Sequence, residues 1–521
     1  MQRYKRFFNT AGVIDPKEHY FLPHRLDWDQ LEQFIERNYY FVIRAPRQSG
    51  KTIEIIEFVR HLNEKGQYRA LYLSVESAQV AIDDVKLAVQ LILEQFNRQI
   101  RLFLPSEKKA ISYLEETLNK KEYEESGVYA FLRYWAEVNP KKPLVICFDG
   151  FNLLTGDSLI ALLAQIRTGY TNRPEHFPQT ICFVGVRGPK NYKKRTKEQE
   201  DFEVFYSPFN IIAESVELPD FSLEDIKTLY GQHTEDTGQI FADEAIAYAF
   251  EQTQGQPWLV NALAYQACFR DVQDHSIPIT KEVLEKAREA LINRCDTHLD
   301  GLLDRLNEPR VRDVIDALIS GGGENQNFQM DDLQYVRDLG LISPKRICIV
   351  NPIYQEIIPR ALAYTKQESI NQELSWYQKK DGSLDVPSLL EAFTQFYREN
   401  SEVWLEEFAF KESGPHLFFL AFLQRIIDEG GTIQREYGLG TKRVDLLIVW
   451  KKQKIVIELK VKRQEADVVK GLTQAAEYMD KSGATEGYLV VFDRNAKKSW
   501  EEKISRHSEK VQGKTIEVFG M

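Results

Sequence analysis

The 521-residue sequence has no apolar run approaching the roughly 18 residues that a membrane-spanning helix needs. Its first residues, MQRYKRFFNT, lack the charged, apolar and small-residue succession of a secretory leader. Both absences predict an intracellular, cytoplasmic protein with no membrane partner. Cysteine is scarce: Cys147, Cys182, Cys268, Cys295 and Cys348 are scattered without CxxC spacing, which excludes a disulfide framework and a zinc ribbon. Cys147 and Cys182 fall in apolar, strand-like runs and read as small buried hydrophobes. Repeats and low-complexity tracts are also missing. A global basic excess is missing too, since the net charge of −11 opposes indiscriminate polyanion binding. The charge is unevenly spread, however. Residues 431–470 carry ten Lys or Arg against five Asp or Glu, and RGPKNYKKRTK, residues 187–197, has six basic residues and no acid. Either patch can meet phosphates, although most charge runs are solvated faces.

What is present is a globular composition, 43% hydrophobic and 12% aromatic, over a length that predicts two or three domains. The first half alternates apolar strands with amphipathic helices, the pattern of a parallel α/β sheet. Strands are predicted at Tyr40–Arg44, Ala70–Val75, Leu144–Phe148 and Thr180–Val186, with long helices over Ile82–Phe103 and Ser158–Arg167. After about Asp220 consecutive helices follow, with Ser222 as the first cap, and read as a lid. From Pro309 to Leu362 the order of helix, Gly-rich break, helix and short strand pair resembles a winged helix. Its second helix carries Asp331, Asp332 and Asp338 against Arg337, which favours a structural or protein-contacting role over phosphate contact. The expected boundaries are 1–220 for the nucleotide-binding domain, 221–300 for the lid and 301–364 for the winged-helix-like segment. A polar linker over 365–385 and a second α/β unit over 386–521 complete the chain.

YYFVIRAPRQSGKT runs from a strand through a tight loop into a helix. Successive backbone N–H groups of such a loop cradle phosphates at a helix N-terminus. Ala45, Pro46, Arg47, Gln48, Ser49 and Gly50 form the cradle, Lys51 reaches the β and γ phosphates, and Thr52 holds Mg²⁺. Ala45 stands where the motif usually has its first glycine. Asp149, ending the apolar run LVICFD, is the second metal-side carboxylate, so ATP and Mg²⁺ are the expected cofactors. Gly150 follows it and cannot orient water. Glu76, at the end of ALYLSVE, is a substitute base on a neighbouring strand, or else only ends that strand.

Long blocks of the chain, among them FFNTAGVIDPKEHYFLP, APRQSGKT, LLAQIRTGYTNRPEHFPQT, GQPWLVNALA, NPIYQEIIPRAL, PHLFFLAFLQRII and REYGLGTKRVDLLI, resemble bacterial AAA-like ATPases fused to a C-terminal PD-(D/E)XK nuclease-like domain. The resemblance covers essentially the whole chain. It implies an AAA-like core with a lid, in which Gly255–Pro257 resembles a nucleotide-contacting turn. In that family pattern the acid strand ends in Asp-Glu and a later strand in Gly-x-Arg-Asp, where this chain has Asp149-Gly150 and GVRG, ending in Gly188. Both departures remove a carboxylate, which predicts nucleotide binding with weak or absent hydrolysis.

The second constellation lies in TKRVDLLIVWKKQKIVIELKVK. Asp445 sits on one strand, a turn near Lys451–Gln453 reverses the chain, and Glu458 and Lys460 share a face of the next. Two carboxylates and an ammonium suit metal-assisted phosphodiester hydrolysis, with Asp445 and Glu458 holding Mg²⁺ and Lys460 positioning water or stabilising charge. Gln474 and Tyr478, at i and i+4 of the following helix, resemble the QxxxY element of RecB-type nucleases. Glu412 is either a further acid or a solvated helix-start residue. The leading expectation is cleavage of nucleic acid, DNA or RNA, under control of nucleotide occupancy. The alternative is a nucleotide-gated interaction protein, with a protein partner or self-association, whose nuclease-like fold is a binding surface.

Overall fold

The computed structural model describes residues 6–120, 124–186, 210–294, 305–306, 308–319, 328–358, 378–379, 381–407, 414–427, 431–435, 438–439, 442–443, 446–462, 464–493, 495 and 498–521. They form two units, Met1–Ala287 with Asp338–Gly340, and Arg288–Arg337 with Leu341–Met521.

In the first unit two short strands, β1 Phe7–Phe8 and β2 His19–Tyr20, pair in parallel. Helix α1 Trp28–Glu36 follows, capped by the Asp27 side chain. The sheet is built from β3 Tyr40–Arg44, β4 Arg69–Ser74, β5 Leu144–Asp149, β6 Thr180–Gly185 and β7 Ile212–Glu217, in the order β4-β5-β6-β3-β7. Every pairing in it is parallel. Three strands match their sequence expectations closely and β4 is shifted by one residue. β7 was not anticipated, because IAESVE is mostly exposed and shows no apolar alternation. Its acidic residues suit an edge strand, where charge discourages further pairing.

Alternation along the strands sorts their side chains onto two faces. Tyr40, Val42, Leu71, Leu73, Ile146, Phe148, Ile181 and Phe183 point into one core. That core also contains residues of α3 Val85–Phe103, α4 Lys108–Lys120, α5 Gly127–Val138 and α6 Gly156–Gly169. Phe41, Ile43, Ala70, Tyr72, Val145, Cys147, Cys182 and Val184 point the other way, toward α1 and α2 Lys51–Lys65. Both cysteines are buried as expected. The lid helices are α7 Leu223–Thr237, α8 Asp243–Thr253 and α9 Pro257–Tyr265. Ser222 caps α7 in a reciprocal box with Asp225. Phe8 and Tyr20 of the N-terminal strands pack on Tyr230 and His233 of the lid, and Arg6 pairs with Asp236 at 2.9 Å.

In the second unit a helix spans Pro309–Ile319. Among the described residues the expected strand pair after Leu341 is one antiparallel bridge, Ile342 to Ile349. Its apolar arms are too short for a ladder.

Downstream, β8 Gly431–Arg435, β11 Leu446–Trp450, β12 Gln453–Lys462, β13 Glu486–Asp493, β14 Ser505–Val511 and β15 Lys514–Gly520 form a six-stranded sheet. The small pair β9 Gly438–Leu439 and β10 Lys442–Arg443 stands apart from it. The order is β14-β15-β13-β12-β11-β8, with β12, β13 and β15 parallel. Helices Val386–Glu407 and Gly414–Ile427 contribute to the core on one face, and helix Glu465–Ser482 covers the other. Among the described residues, no helix is long and apolar enough to cross a membrane.

Candidate functional site

Loops at the C-terminal ends of parallel strands are where open α/β sheets bind ligands. Here β3 ends at Arg44, and the chain turns through Ala45–Gly50 into α2. Gly50 is the N-cap of α2 at φ 83°, a left-handed conformation that glycine adopts freely. A Cβ there would also lie 3.1 Å from Arg25 Nη1. Ala45 is not among the positive-φ residues, so its backbone does not demand the motif's usual glycine. Its N–H donates to Gly185 O at 3.0 Å, tying the loop to β6.

Within the loop Ser49 Oγ donates to Pro46 O at 2.9 Å and Lys51 Nζ to the same carbonyl at 2.7 Å. Burial lowers the Lys51 pKa to about 8, against an upward pull from Asp149 and with a further downward push from Arg47. Thr52 Oγ1 donates to Asp149 Oδ2 at 2.9 Å. Tyr72 OH, from the neighbouring strand, donates to that oxygen at 3.0 Å. A hydroxyl and a carboxylate meeting at a helix N-terminus beside a lysine are the hard oxygen donors that Mg²⁺ takes. The residues present therefore fit a magnesium nucleotide, with Thr52 and Asp149 on the metal side.

Gly150 has φ 75°, so the backbone after Asp149 itself favours glycine over an acid. A Cβ at Gly150 would lie 3.6 Å from Glu76 Cβ. Glu76 opens a short 3₁₀ turn after β4, and Val75 N–H donates to Asp149 O at 2.9 Å. The turn after β4 thus sets the Glu76 side chain beside Gly150. Gly188 lies outside the described residues, as does the basic run 187–197.

Sequence reasoning missed the support behind the loop. Arg25 donates to the carbonyls of Ser49 and Pro219 and stacks 4.7 Å over the Phe221 ring. Burial pushes the neighbouring Asp220 carboxyl up to about 6, although Arg25 pulls it back down. Buried Glu54 accepts from Trp28 Nε1 at 2.9 Å, Leu26 N at 3.2 Å and Arg25 N at 3.3 Å. Only a polar residue inside an apolar helical run signalled it.

A cavity of about 270 Å³ opens over Gly50, Lys51 and Thr52 and is also lined by Thr10, Ile14, Phe21, Pro257, Trp258 and Asn261. Pro257 lies in the turn that the sequence singled out. At Gly255, φ 80°, a Cβ would collide with Phe221 O at 1.9 Å, which explains the glycine.

In the second unit Glu458 and Lys460 share a face of β12, and Lys460 Nζ donates to Glu458 Oε1 at 2.7 Å. Glu458 is only 1% exposed. Leu446 of β11 pairs with Ile457, and Lys451 turns the hairpin at φ 52°. Gln474 and Tyr478 lie on helix Glu465–Ser482, which covers that face. Gly471 lets the helix approach, since a Cβ there would lie 3.0 Å from Lys460 Cγ and 2.7 Å from Leu489 Cδ1. A glycine inside a helical pattern is the sequence signal for such closeness. Asp445 and Glu412 lie outside the described residues. Among the described residues, no three His, Cys, Asp or Glu side chains cluster as a metal site.

Residues 391–496 match a family described only as a domain of unknown function. No curated protein matches the chain. Among solved structures, a Walker-type ATPase of Pyrococcus abyssi, PABY2304, is 14% identical, with 67% of this chain and 98% of that one covered at a TM-score of 0.46. The Thermotoga maritima RuvB Holliday junction branch migration motor is 13% identical, covering 64% and 91% at 0.32. Cdc6p from Pyrobaculum aerophilum is 12% identical, covering 64% and 82% at 0.36. The parallel sheet that brings Thr52 onto Asp149 has its counterpart at the level of sequence, because residues 11–356 match the AAA-like domain family, and the chain belongs to that family.

Proposed function

We propose that the protein is a nucleotide-controlled nuclease, in which an AAA-like domain binding Mg²⁺–ATP governs a metal-dependent, nuclease-like C-terminal domain over 386–521. The observation that carries this reading is the buried Glu458 paired with Lys460 beneath the helix that bears Gln474 and Tyr478. Taking a carboxylate out of water is costly, and an isolated ion pair often returns less than an apolar replacement would. Such a pair, on the face covered by the helix that carries the half-buried Gln474, is well suited to chemistry on a phosphodiester. Asp445 and Glu458 would hold Mg²⁺, Lys460 would steady developing negative charge, and Gln474 and Tyr478 would position the strand. Bound Mg²⁺ supplies an activated water and a charge sink for the leaving oxygen.

The rival is a nucleotide-gated interaction protein whose C-terminal domain only binds. It is favoured by the direct bond between Lys460 and Glu458, which an ion pair serving structure alone also makes. The test incubates the full chain with DNA and RNA panels, with and without Mg²⁺ and ATP, beside Glu458→Gln and Lys460→Ala. Mg²⁺-dependent cleavage by the wild type, reduced at least about 10²-fold in both variants, is the expected result. No cleavage by the wild type would leave the binding role, and equal cleavage by all three proteins would remove Glu458 and Lys460 as the catalytic groups.

A further inference from the structure

The carboxylate on the metal side of the nucleotide site is gripped from two elements. Asp149 ends β5, which lies between β4 and β6 in the sheet. On β4, Tyr72 pairs in register with Cys147, so Tyr72 and Asp149 stand diagonally on one face, the face that α2 covers. Tyr72 is buried, and its OH reaches Asp149 Oδ2 at 3.0 Å. Burial and the charge of Asp149 push the phenol above its ordinary range, so the OH keeps its proton and donates. From the start of α2, Thr52 Oγ1 donates to the same oxygen at 2.9 Å, and Oδ1 takes neither hydroxyl. A threonine whose hydrogen is held by a carboxylate has its lone pairs turned elsewhere, ready for a hard cation. Thr52 and Asp149 were expected from the motif, whereas Tyr72 comes from a strand outside it. Its ring packs on Phe103, with centroids 6.5 Å apart. A phenylalanine would pack that ring equally well, so what tyrosine adds is the hydroxyl on Asp149.

We infer that Tyr72 is a positioning residue for Mg²⁺: by holding Asp149 Oδ2 from the neighbouring strand it fixes the rotamer of the carboxylate, which in turn orients the Thr52 hydroxyl. The inference rests on the magnesium-nucleotide reading of the Lys51 loop and adds to it a residue that acts through Asp149. Outer partners of this kind keep metal ligands in place, and removing one typically lowers metal affinity about 10- to 100-fold. Binding of the phosphates by the loop does not pass through Asp149. Loss of the Tyr72 hydroxyl therefore weakens the metal and spares the metal-free nucleotide.

The experiment measures Kd for ATP in EDTA and over a series of free Mg²⁺ concentrations. It uses the full-length wild type, Lys51→Ala, Tyr72→Phe, Tyr40→Phe, Asp149→Asn and the double variant Tyr72→Phe with Asp149→Asn, each checked for folding by thermal melting. Tyr40 is the control, because its buried hydroxyl donates to Pro178 O at 3.2 Å, at the other end of the strands. By linkage, the response of the ATP Kd to Mg²⁺ gives the Mg²⁺ affinity of the ATP-bound protein. Tyr72→Phe is expected to lower that affinity about tenfold or more and to leave the Kd in EDTA unchanged, while Tyr40→Phe changes neither. In the Asp149→Asn background Tyr72→Phe should have no further effect on Mg²⁺, because the carboxylate it orients is gone. Equal Mg²⁺ affinities in the wild type and Tyr72→Phe would overturn the inference. So would a loss that Tyr40→Phe shares, one that persists in full with Asp149→Asn, or one that weakens ATP equally in EDTA and in Mg²⁺. If the wild type binds no ATP at all, the loop reading falls as well. ATP binding that is lost in Lys51→Ala yet indifferent to Mg²⁺ would sink the role of Tyr72 alone.

Discussion

Thr52 Oγ1 donates to Asp149 Oδ2 across 2.9 Å, joining positions 97 residues apart in the sequence. The contact exists because α2 starts where β3 ends, while β5, two places along the sheet, ends level with it. Asp149 also accepts from Tyr72, so two hydroxyls hold one carboxylate oxygen and orient the group toward the loop. Preorganised donors and acceptors of this kind need little rearrangement when a charged ligand arrives.

Lys51 gives this site a pH dependence. Its burial lowers the pKa from 10.5 to about 8, and only the ammonium attracts phosphate. About nine-tenths of the lysine is charged at pH 7 and about one-tenth at pH 9. ATP affinity should therefore be flat below pH 7 and fall about tenfold between pH 7 and 9, with proton uptake on binding near pH 8. The linkage to stability has the opposite sense. Because the folded-state pKa lies below the unfolded one, the penalty of burying the charge is full below about pH 8 and is relieved as pH rises toward 10.5. Calorimetric titration in buffers of different ionisation enthalpy reads the uptake, and a Kd constant from pH 7 to 9 would contradict it.

Glu54 ties the segment before α1 to the phosphate-binding helix through three N–H donors. Glu54→Ala strands the buried Leu26 N–H and Trp28 Nε1–H and the half-buried Arg25 N–H, and each buried group costs about 1–3 kcal/mol. The expected loss is about 3 kcal/mol or more for the first unit, with weaker ATP binding because Arg25, which also braces Ser49, loses its anchor. Glu54→Gln keeps one acceptor oxygen and should lose less. Thermal melts followed with and without ATP test both. Equal melting of Glu54→Ala and the wild type would show that the network adds nothing.

The strands β3, β5 and β6 were legible because their residues are apolar on both faces, which leaves few alternatives to a covered parallel strand. Ser222 was legible because capping is local chemistry. β7 was not legible, since a mostly exposed, acidic edge strand has no apolar signature. β14 was hidden for the same reason, as nearly all of it is exposed. The loop Ala45–Thr52 and Asp149 could be read as a motif, whereas Tyr72, Arg25 and Asn261 join the site only through tertiary contacts that no spacing encodes. Glu458 and Lys460 were visible as a two-residue spacing on one strand. Their partner helix came close enough only because of Gly471, a residue that pattern reading passed over.

The same logic governs turnover. Gly150 sits at φ 75°, where any other L-residue is strained by about 1 kcal/mol or more, so Gly150→Glu should not restore a missing base and should lower stability. Glu76 stands beside it, with Cβ 3.6 Å from where a Gly150 Cβ would be, on a backbone held to β5 by Val75. Loss of the acid next to Asp149 predicts slow ATP hydrolysis, and if Glu76 orients the attacking water the remaining rate depends on it. Positioning of the attacking water typically contributes about 10²-fold or more. Glu76→Gln should thus reduce the residual rate by about that factor while leaving the Kd for ATP unchanged, because the carboxylate is not needed to bind phosphate. Phosphate release at saturating ATP, measured beside equilibrium binding, separates the two effects. A rate indifferent to Glu76→Gln would remove Glu76 as the base, and fast turnover in that variant would show that the protein hydrolyses ATP by another group altogether.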